Sequence, residues 1–457
     1  MRRTPLEAWI CEKSGAPGPP LARAALEAYQ LERLNATLAL AAQKSPYYRR
    51  ALARSPHHLG SLDEIAALPF TRAEDLRRCG AEMVCAPQSE IERIVTLDTS
   101  GTTGAPKRLY FTRPDQELTI DFFRQGMSTF TRPGDRVMIL LPYERPGSVG
   151  DLLAQGLRRL GAEPVPYGPV RDPLPALAQM RAAGAEVLVG APTHLLALAR
   201  FDALAGPPGP GPDRVLLSTD HVPGAVVSAL HSIWGSAVFN HYGLTESGLG
   251  GGVDCLARRG YHLREADLYF EIVDPHGGQP LPEGEWGEIV FTTLTRLGMP
   301  LIRYRTGDRG RFLPGACPCG TSLKTLEHVR GRFSGTVQFG EAGPLGEAGP
   351  LSMADLDDAL FPLPPLLNFS ATLSGEAGRS VLHLEAALLP GTGGGWRAQA
   401  QAALERIPAV GATLRSGRLA LQLSGRDYDP AQAGSLAKRK IEDRRSAAQD
   451  RAAQPGD

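Results

Sequence analysis

From residue 136 onward, apolar runs of strand length take turns with stretches of helical spacing. RVMILLPY, EVLVG, RVLLSTD and AVFNHYG are separated by segments such as DLLAQGLRRLGA and THLLALARFDAL. This rhythm leaves few folds open, because a strand apolar on both faces must be covered on both, and the intervening helices supply the cover. The expectation is an α/β fold whose large N-terminal domain has mostly parallel sheets covered by helices. Ser148 with Asp151 predicts a capping-box start for the first of these helices.

The flanks extend the outline. Residues 21 to 42 carry apolar side chains at helical spacing, and Ser45-Pro46 ends that helix before Tyr47-Tyr48. The Pro- and Gly-rich stretch 206 to 213 reads as a surface loop. After residue 331 the character changes: GEAGPL occurs twice in tandem, at 340 to 345 and 346 to 351, and reads as a loop. Beyond it come MADLDDALF, a strand pair around 368 to 388, a helix near 396 to 406 and a strand near 417 to 423. The predicted organisation is a large domain over 1–331, a small α+β domain over 332–445 and a disordered tail over 446–457.

Composition removes several function classes. Lys plus Arg and Asp plus Glu are 49 each, and no aromatic-interleaved basic stripe occurs, which argues against nucleic acid as the partner. No apolar run approaches the ~20 residues of a membrane span, and the N-terminus has no signal-like apolar region, so a cytoplasmic protein without a membrane partner is expected. Six cysteines in 457 residues are too few for a disulfide framework.

The segment TSGTTGAPKRLYFT, 99 to 112, lies between two stretches of strand character, RIVTL and LYF. Gly101 and Gly104 free its backbone for close approach, while Ser100, Thr102 and Thr103 offer hydroxyl and N–H donors to an anion. A phosphate suits such a loop. It is not a Walker A loop, since Pro106 stands where the second glycine belongs and Arg108 follows Lys107 in place of Ser or Thr. A polar turn remains the plain alternative.

Three further stretches share this character. FNHYGLTESGLGGG, 239 to 252, leaves an apolar strand and places Tyr242, Thr245 and Glu246 at its carboxyl end, where open α/β sheets bind ligands. GEIVFTTLTRLGMPLIRYRTGD, 287 to 308, ends on Arg303, Arg305 and Asp308, and VRGRFSG, 329 to 335, sits at the expected domain boundary. Cys317 and Cys319 form a close pair, and with Cys255 and His262 they could make a Cys₃His structural zinc site, free thiols being the alternative. Cys11, Cys79 and Cys85 show no pairing logic.

Together with SPYYRR, LPFTRAEDL and CPCG, these stretches resemble the adenylate-forming, AMP-binding superfamily of acyl-CoA synthetases, and within it the phenylacetate-CoA ligase branch. The resemblance spans nearly the whole chain. It implies that a carboxylate attacks the α-phosphate of ATP to give an acyl-adenylate and pyrophosphate, after which a thiol, usually that of coenzyme A, takes the acyl group. It also implies that Ser100, Gly101, Thr102, Thr103 and Gly104 cradle the β- and γ-phosphates, with Lys107 as a nearby charge. Glu246 would hold Mg²⁺, Thr245 would touch the α-phosphate, Tyr242 would pack on adenine and Asp308 would accept the ribose hydroxyls. Arg332 matches an interdomain arginine that contacts the nucleotide.

Lys438 in SLAKRKIEDRR matches the lysine that neutralises the adenylating centre, with Ala437 in the position of a glycine and Lys440 as the rival. Such a lysine implies a mobile small domain. The sequence departs from the family pattern at Ser334 and Gly335, where an acidic pair is expected. The acyl pocket is expected from 141 to 150, 190 to 194 and 240 to 250, with His241 lining it or merely packed. The substrate leans toward an aromatic carboxylic acid. A non-CoA acceptor, a nucleotide-sensing role without turnover, and a homodimeric or other oligomeric state stay open.

Overall fold

The computed structural model describes residues 2–97, 106–206, 209–339, 349–376, 379–432 and 438–445. The phosphate-loop residues Ser100, Gly101, Thr102, Thr103 and Gly104, most of the tandem GEAGPL and the 446–457 tail lie outside the described residues. The fold is α/β, with a larger mixed-sheet domain and a smaller C-terminal β-rich region. Its compact units are Met1–Gly168 with Phe239–Val329, and Pro169–Val238 with Arg330–Asp457. Among the described residues no helix is long and apolar enough to cross a membrane.

In the first unit, helices Pro5–Ser14 and Arg23–Lys44 lead to Pro46–Ala51, whose N-cap is Ser45: its hydroxyl accepts from the Tyr48 amide at 3.1 Å. Strands Ile91–Leu97 and Lys107–Thr112, which flank the expected donor-rich segment in sequence, pair antiparallel with Leu97 opposite Lys107. Thr112 and Asp115 then form a capping box that starts helix Arg113–Met127. Strands Arg136–Ile139 and Glu163–Pro166 run parallel, joined through helix Val149–Leu160. Ser148 is the N-cap of that helix but makes no side-chain cap bond; Asp151 accepts instead from the Gly147 amide at 2.6 Å, so the capping box is corrected to a contact one residue earlier.

The remaining sheet elements of this unit are antiparallel, more than the strand–helix rhythm suggests. Gly252–Asp254 pairs with the end of Ala237–Tyr242 and with Tyr261–Leu263, while Leu268–Val273, Gly287–Thr293 and Tyr304–Gly310 form a meander. The connections from Tyr242 to Gly252, Asp254 to Tyr261 and Thr293 to Tyr304 are shorter than the crossover that parallel pairing needs. A core built on Leu109, Phe111, Tyr242, Phe270, Phe291 and Tyr304 packs these strands together.

In the second unit, strands Val187–Gly190 and Arg214–Leu217 are parallel, and helices Pro173–Ala183, Pro192–Leu204 and Gly224–Trp234 belong with them. The C-terminal β-rich part is a hairpin of Leu366–Glu376 and Arg379–Leu388. Leu419–Asp427 lies parallel to its second strand and Ile441–Asp443 parallel to its first. Helices Met353–Leu360, Trp396–Glu405 and Pro408–Arg415 complete this part.

Candidate functional site

The turn after Ala237–Tyr242 sets the geometry. Gly243 must be glycine, because a Cβ there would lie 2.3 Å from the Leu249 carbonyl oxygen. The turn closes through Leu249 N to Leu244 O at 2.8 Å and Gly248 N to Thr245 O at 3.0 Å, which fixes half-buried Thr245 and buried Glu246 just beyond the strand end.

Glu246 is only 4% exposed. Its Oε1 accepts from Lys107 Nζ at 2.5 Å and from the Tyr304 hydroxyl at 3.0 Å, and its backbone carbonyl accepts from Arg296 Nη1 at 2.7 Å. Burial pushes this carboxyl up, yet the Lys107 ammonium and the bonds it receives bring it below its ordinary value. A carboxylate held ionised at a strand end has the oxygen chemistry a hard cation prefers, and the ammonium opposite has the charge a phosphate needs. Asp308 is 1% exposed and Tyr242 is 7% exposed, and the Tyr242 hydroxyl donates to Asp308 Oδ2 at 2.9 Å.

Strand Tyr304–Gly310 alternates between buried and more open positions, with Tyr304, Thr306 and Asp308 on its buried side. Its two ends therefore meet the 242–246 segment twice, through Tyr304 with Glu246 and Asp308 with Tyr242. Sequence reasoning missed Tyr304 and Arg296, and strand alternation was the signal available for Tyr304. Arg303 and Arg305, prominent in the motif, face elsewhere: Arg303 pairs with Glu271 at 2.9 Å, and Arg305 pairs with Glu288. Asp254 was also missed. It is fully buried, accepts from the Asn240 amide at 2.8 Å and lies 2.7 Å from His328 Nε2, holding the strand that carries Tyr242.

His241 stands beside the Phe122 and Phe123 rings at 6.1 and 6.0 Å between centroids, and burial pushes its imidazole down to about 4. A Cβ at Gly250 would come within 2.3 Å of the Phe122 ring, so the glycine-rich run gives these aromatic groups room. Arg332 and Lys438 belong to the second unit, and both are exposed.

Cys255, His262, Cys317 and Cys319 converge, their donor atoms all within 4.8 Å of one another and all four residues buried. Cys255 Sγ is 3.6 Å from Cys317 Sγ, and Cys319 Sγ is 3.4 Å from His262 Nε2. Zinc–sulfur bonds of about 2.3 Å in a tetrahedron put sulfurs about 3.8 Å apart, so this donor set fits a structural Cys₃His zinc. The other imidazole nitrogen, Nδ1, faces the Lys324 carbonyl oxygen at 3.4 Å, the outer-shell arrangement a ligating histidine uses.

Comparison with known proteins fits this geometry. The family model described as AMP-binding enzyme matches residues 28–295. The phenylacetate-coenzyme A ligase of Thermus thermophilus is 31% identical over 325 residues, covering 68% of this chain and 71% of its own. That of Aromatoleum evansii is 31% identical over 338 residues, covering 70% and 74%. Among solved structures, 2-hydroxyisobutyryl-CoA ligase in the postadenylation state with 2-HIB-AMP superposes with a TM-score of 0.78 at 21% identity, covering 95% of this chain and 92% of that one. This last likeness is one of fold.

Proposed function

We infer that this chain, which belongs to the AMP-binding enzyme family of ATP-dependent, acyl-adenylate-forming ligases, joins an aromatic carboxylic acid to coenzyme A. In the first half-reaction a carboxylate oxygen of the acid attacks the α-phosphorus of ATP, the bond to the bridging oxygen breaks, and pyrophosphate leaves. In the second, the thiol of coenzyme A attacks the acyl carbon, AMP departs, and the thiol proton is given up. The first step spreads charge over phosphate oxygens, so catalysis consists chiefly of positioning and electrostatic stabilisation.

The observation that carries this reading is the double tie between the 242–246 turn and strand Tyr304–Gly310. Asp308, oriented by the Tyr242 hydroxyl, would accept the ribose hydroxyls, and the Tyr242 ring would pack on adenine. Glu246 would hold Mg²⁺, which when bound neutralises phosphate charge; Lys107, whose ammonium pairs with Glu246, would add positive charge for the phosphates, and Thr245 would contact the α-phosphate. The loop from Ser100 to Gly104 is assigned the leaving pyrophosphate on its residue chemistry alone. Arg332 is assigned to the nucleotide and Lys438 to the adenylating centre on the same basis. The Phe122, Phe123 and His241 rings support an aromatic acid, as do relatives named for phenylacetate. Cys255, His262, Cys317 and Cys319 would hold zinc as a structural tie between the segments that follow Glu246 and Asp308.

The test is a panel of aryl and alkyl carboxylic acids incubated with ATP and Mg²⁺, read first as pyrophosphate release and then as thioester mass with coenzyme A. Pyrophosphate release with an aryl acid and a CoA thioester product is the expected result. Adenylation without a CoA thioester would move the acceptor to another thiol or amine. No pyrophosphate release with any acid would remove the reading.

A further inference from the structure

The segment before strand Ile441–Asp443 has a regular pattern: Lys438 and Lys440 are exposed, Arg439 between them is half-buried, and Ile441 is buried. Arg439 turns inward onto one carboxylate. Its Nη1 donates to Asp357 Oδ1 at 2.8 Å and its Nη2 to Asp357 Oδ2 at 2.7 Å, the two-pronged fork that only a guanidinium makes. Its Nε lies 3.4 Å from Asp220 Oδ2, and its guanidinium carbon lies 5.1 and 5.4 Å from the centroids of Phe361 and Phe369. Asp357 is 1% exposed, on helix Met353–Leu360. The next residue, Asp358, meets Arg330 and, at 3.7 Å, His221. Adjacent aspartates on one short helix thus hold an arginine near each end of the C-terminal region.

A buried ion pair is a poor choice for stability alone, because desolvation consumes much of its Coulombic gain and apolar packing would serve as well. Two phenylalanines already supply that packing. What the fork adds is direction: successive side chains of an extended segment point to opposite sides, so drawing residue 439 inward turns residue 438 outward. We propose that the Arg439–Asp357 pair is a positioning device for the adenylation half-reaction, clamping the backbone beside Lys438 so that its ammonium is presented in one orientation. This rests on the reading of Lys438 as the lysine of the adenylating centre.

The two half-reactions are measured separately on the full chain, with a carboxylic acid that the wild type activates. Adenylation is followed by ATP–pyrophosphate exchange, and thioester formation by supplying the synthetic acyl-adenylate with coenzyme A. Arg439→Met keeps the stem between the two rings, Asp357→Asn keeps the shape, and Lys438→Ala tests the underlying reading. Adenylation should fall roughly tenfold to a hundredfold in Arg439→Met and Asp357→Asn, the size of loss that misplacing a catalytic group causes. Thioester formation should stay near wild type in both, and Lys438→Ala should lose adenylation. If Lys438→Ala alone loses adenylation, the positioning role is wrong and the lysine reading survives. If Lys438→Ala adenylates normally, both fall. Loss of both half-reactions in Arg439→Met and Asp357→Asn would make the pair a structural anchor only and overturn the proposal.

A pH profile gives a second readout. Burial pushes the Asp357 carboxyl up to about 6 against the pull of Arg439, and the other groups facing it are His221 and Asp220. Wild-type adenylation should therefore decline as pH falls through about 6, when the carboxylate partner of Arg439 is neutralised. Asp357→Asn should lack this limb and His221→Gln should keep it. The same acid limb in Asp357→Asn would overturn the proposal.

Discussion

The Tyr242 hydroxyl donates a 2.9 Å hydrogen bond to Asp308, joining the residue expected on adenine to the carboxylate expected on ribose. Because Asp308 is 1% exposed, water cannot replace that donor. Tyr242→Phe should therefore lower stability by about 1.5–3 kcal/mol, the usual worth of a hydrogen bond to a charged group. It should also raise KM for ATP more than it lowers kcat, since the carboxylate loses orientation while the reacting phosphate is untouched. Urea unfolding and ATP titration of the variant measure the two effects. An unchanged unfolding midpoint with an unchanged KM would contradict the assignment.

Glu246 yields a prediction with a definite sign. Burial raises its carboxyl, but the Lys107 ammonium and the bonds from Lys107 and Tyr304 leave it below the ordinary 4.5. A depressed carboxyl contributes stability that is fully present above its unfolded value and is lost as pH falls through its folded one. The Lys107–Glu246 contribution should thus be intact at neutral pH and disappear below about 4.5. Glu246→Gln should be less stable than wild type at neutral pH, with the gap closing in acid, and should not form adenylate. Thermal melts across the acid range, paired with pyrophosphate release at neutral pH, test both parts. A stability gap that stays constant into acid would rule out this origin for it.

Much of the fold and the site was legible because residue type carried the information. Strand and helix alternation located Arg136–Ile139, Val187–Gly190 and Arg214–Leu217, and the Cys and His spacing anticipated a donor cluster that the fold brings together. Pairing direction was harder to read, since a strand's own period says nothing about its neighbour; the antiparallel turn after Ala237–Tyr242 follows from connection length. In RYRTGD the charged residues draw attention, but burial alternates along the strand, so Tyr304 reaches Glu246 while Arg305 goes to Glu288. The Ser148 box failed by one residue because Gly147 at φ 70 turns its own amide onto Asp151.

Arg303 separates scaffold from site. It lies in the left-handed region at φ 46, a costly conformation for a side-chain-bearing residue. Its guanidinium is spent on Glu271 at 2.9 Å and on the carbonyl oxygens of Ala66 and Leu68 at 3.0 and 2.9 Å, above the Phe70 ring. Arg303→Met would strand the buried Glu271 carboxylate, which costs about 3–5 kcal/mol when one member of such a pair is removed. Chemical denaturation should show that loss, whereas KM for ATP in the folded fraction should hardly change. A large rise in KM with little loss of stability would instead place Arg303 at the nucleotide.

The zinc reading leads to a prediction about protons as well as metal. Burial lowers His262 but its bonds to the cysteine sulfurs lift it to about 9, while Cys319, bonded to Cys255 and His262, is held far below the ordinary thiol value. Cys255 is pushed up, chiefly by its bond to Cys319 and by burial. Zinc takes neutral imidazole and thiolates, so loading it must expel the protons these four groups carry, and affinity must weaken as pH falls. Protein purified without chelator should carry zinc in proportion to chain, and adding zinc to stripped protein in weak buffer should acidify it. Cys319→Ser should bind less zinc and melt earlier, with ATP binding by the folded fraction nearly unchanged because no ligand belongs to the Tyr242–Asp308 or Lys107–Glu246 pairs. Purified protein that lacks zinc and melts at the same temperature with and without added metal would show that the cluster is only four packed side chains.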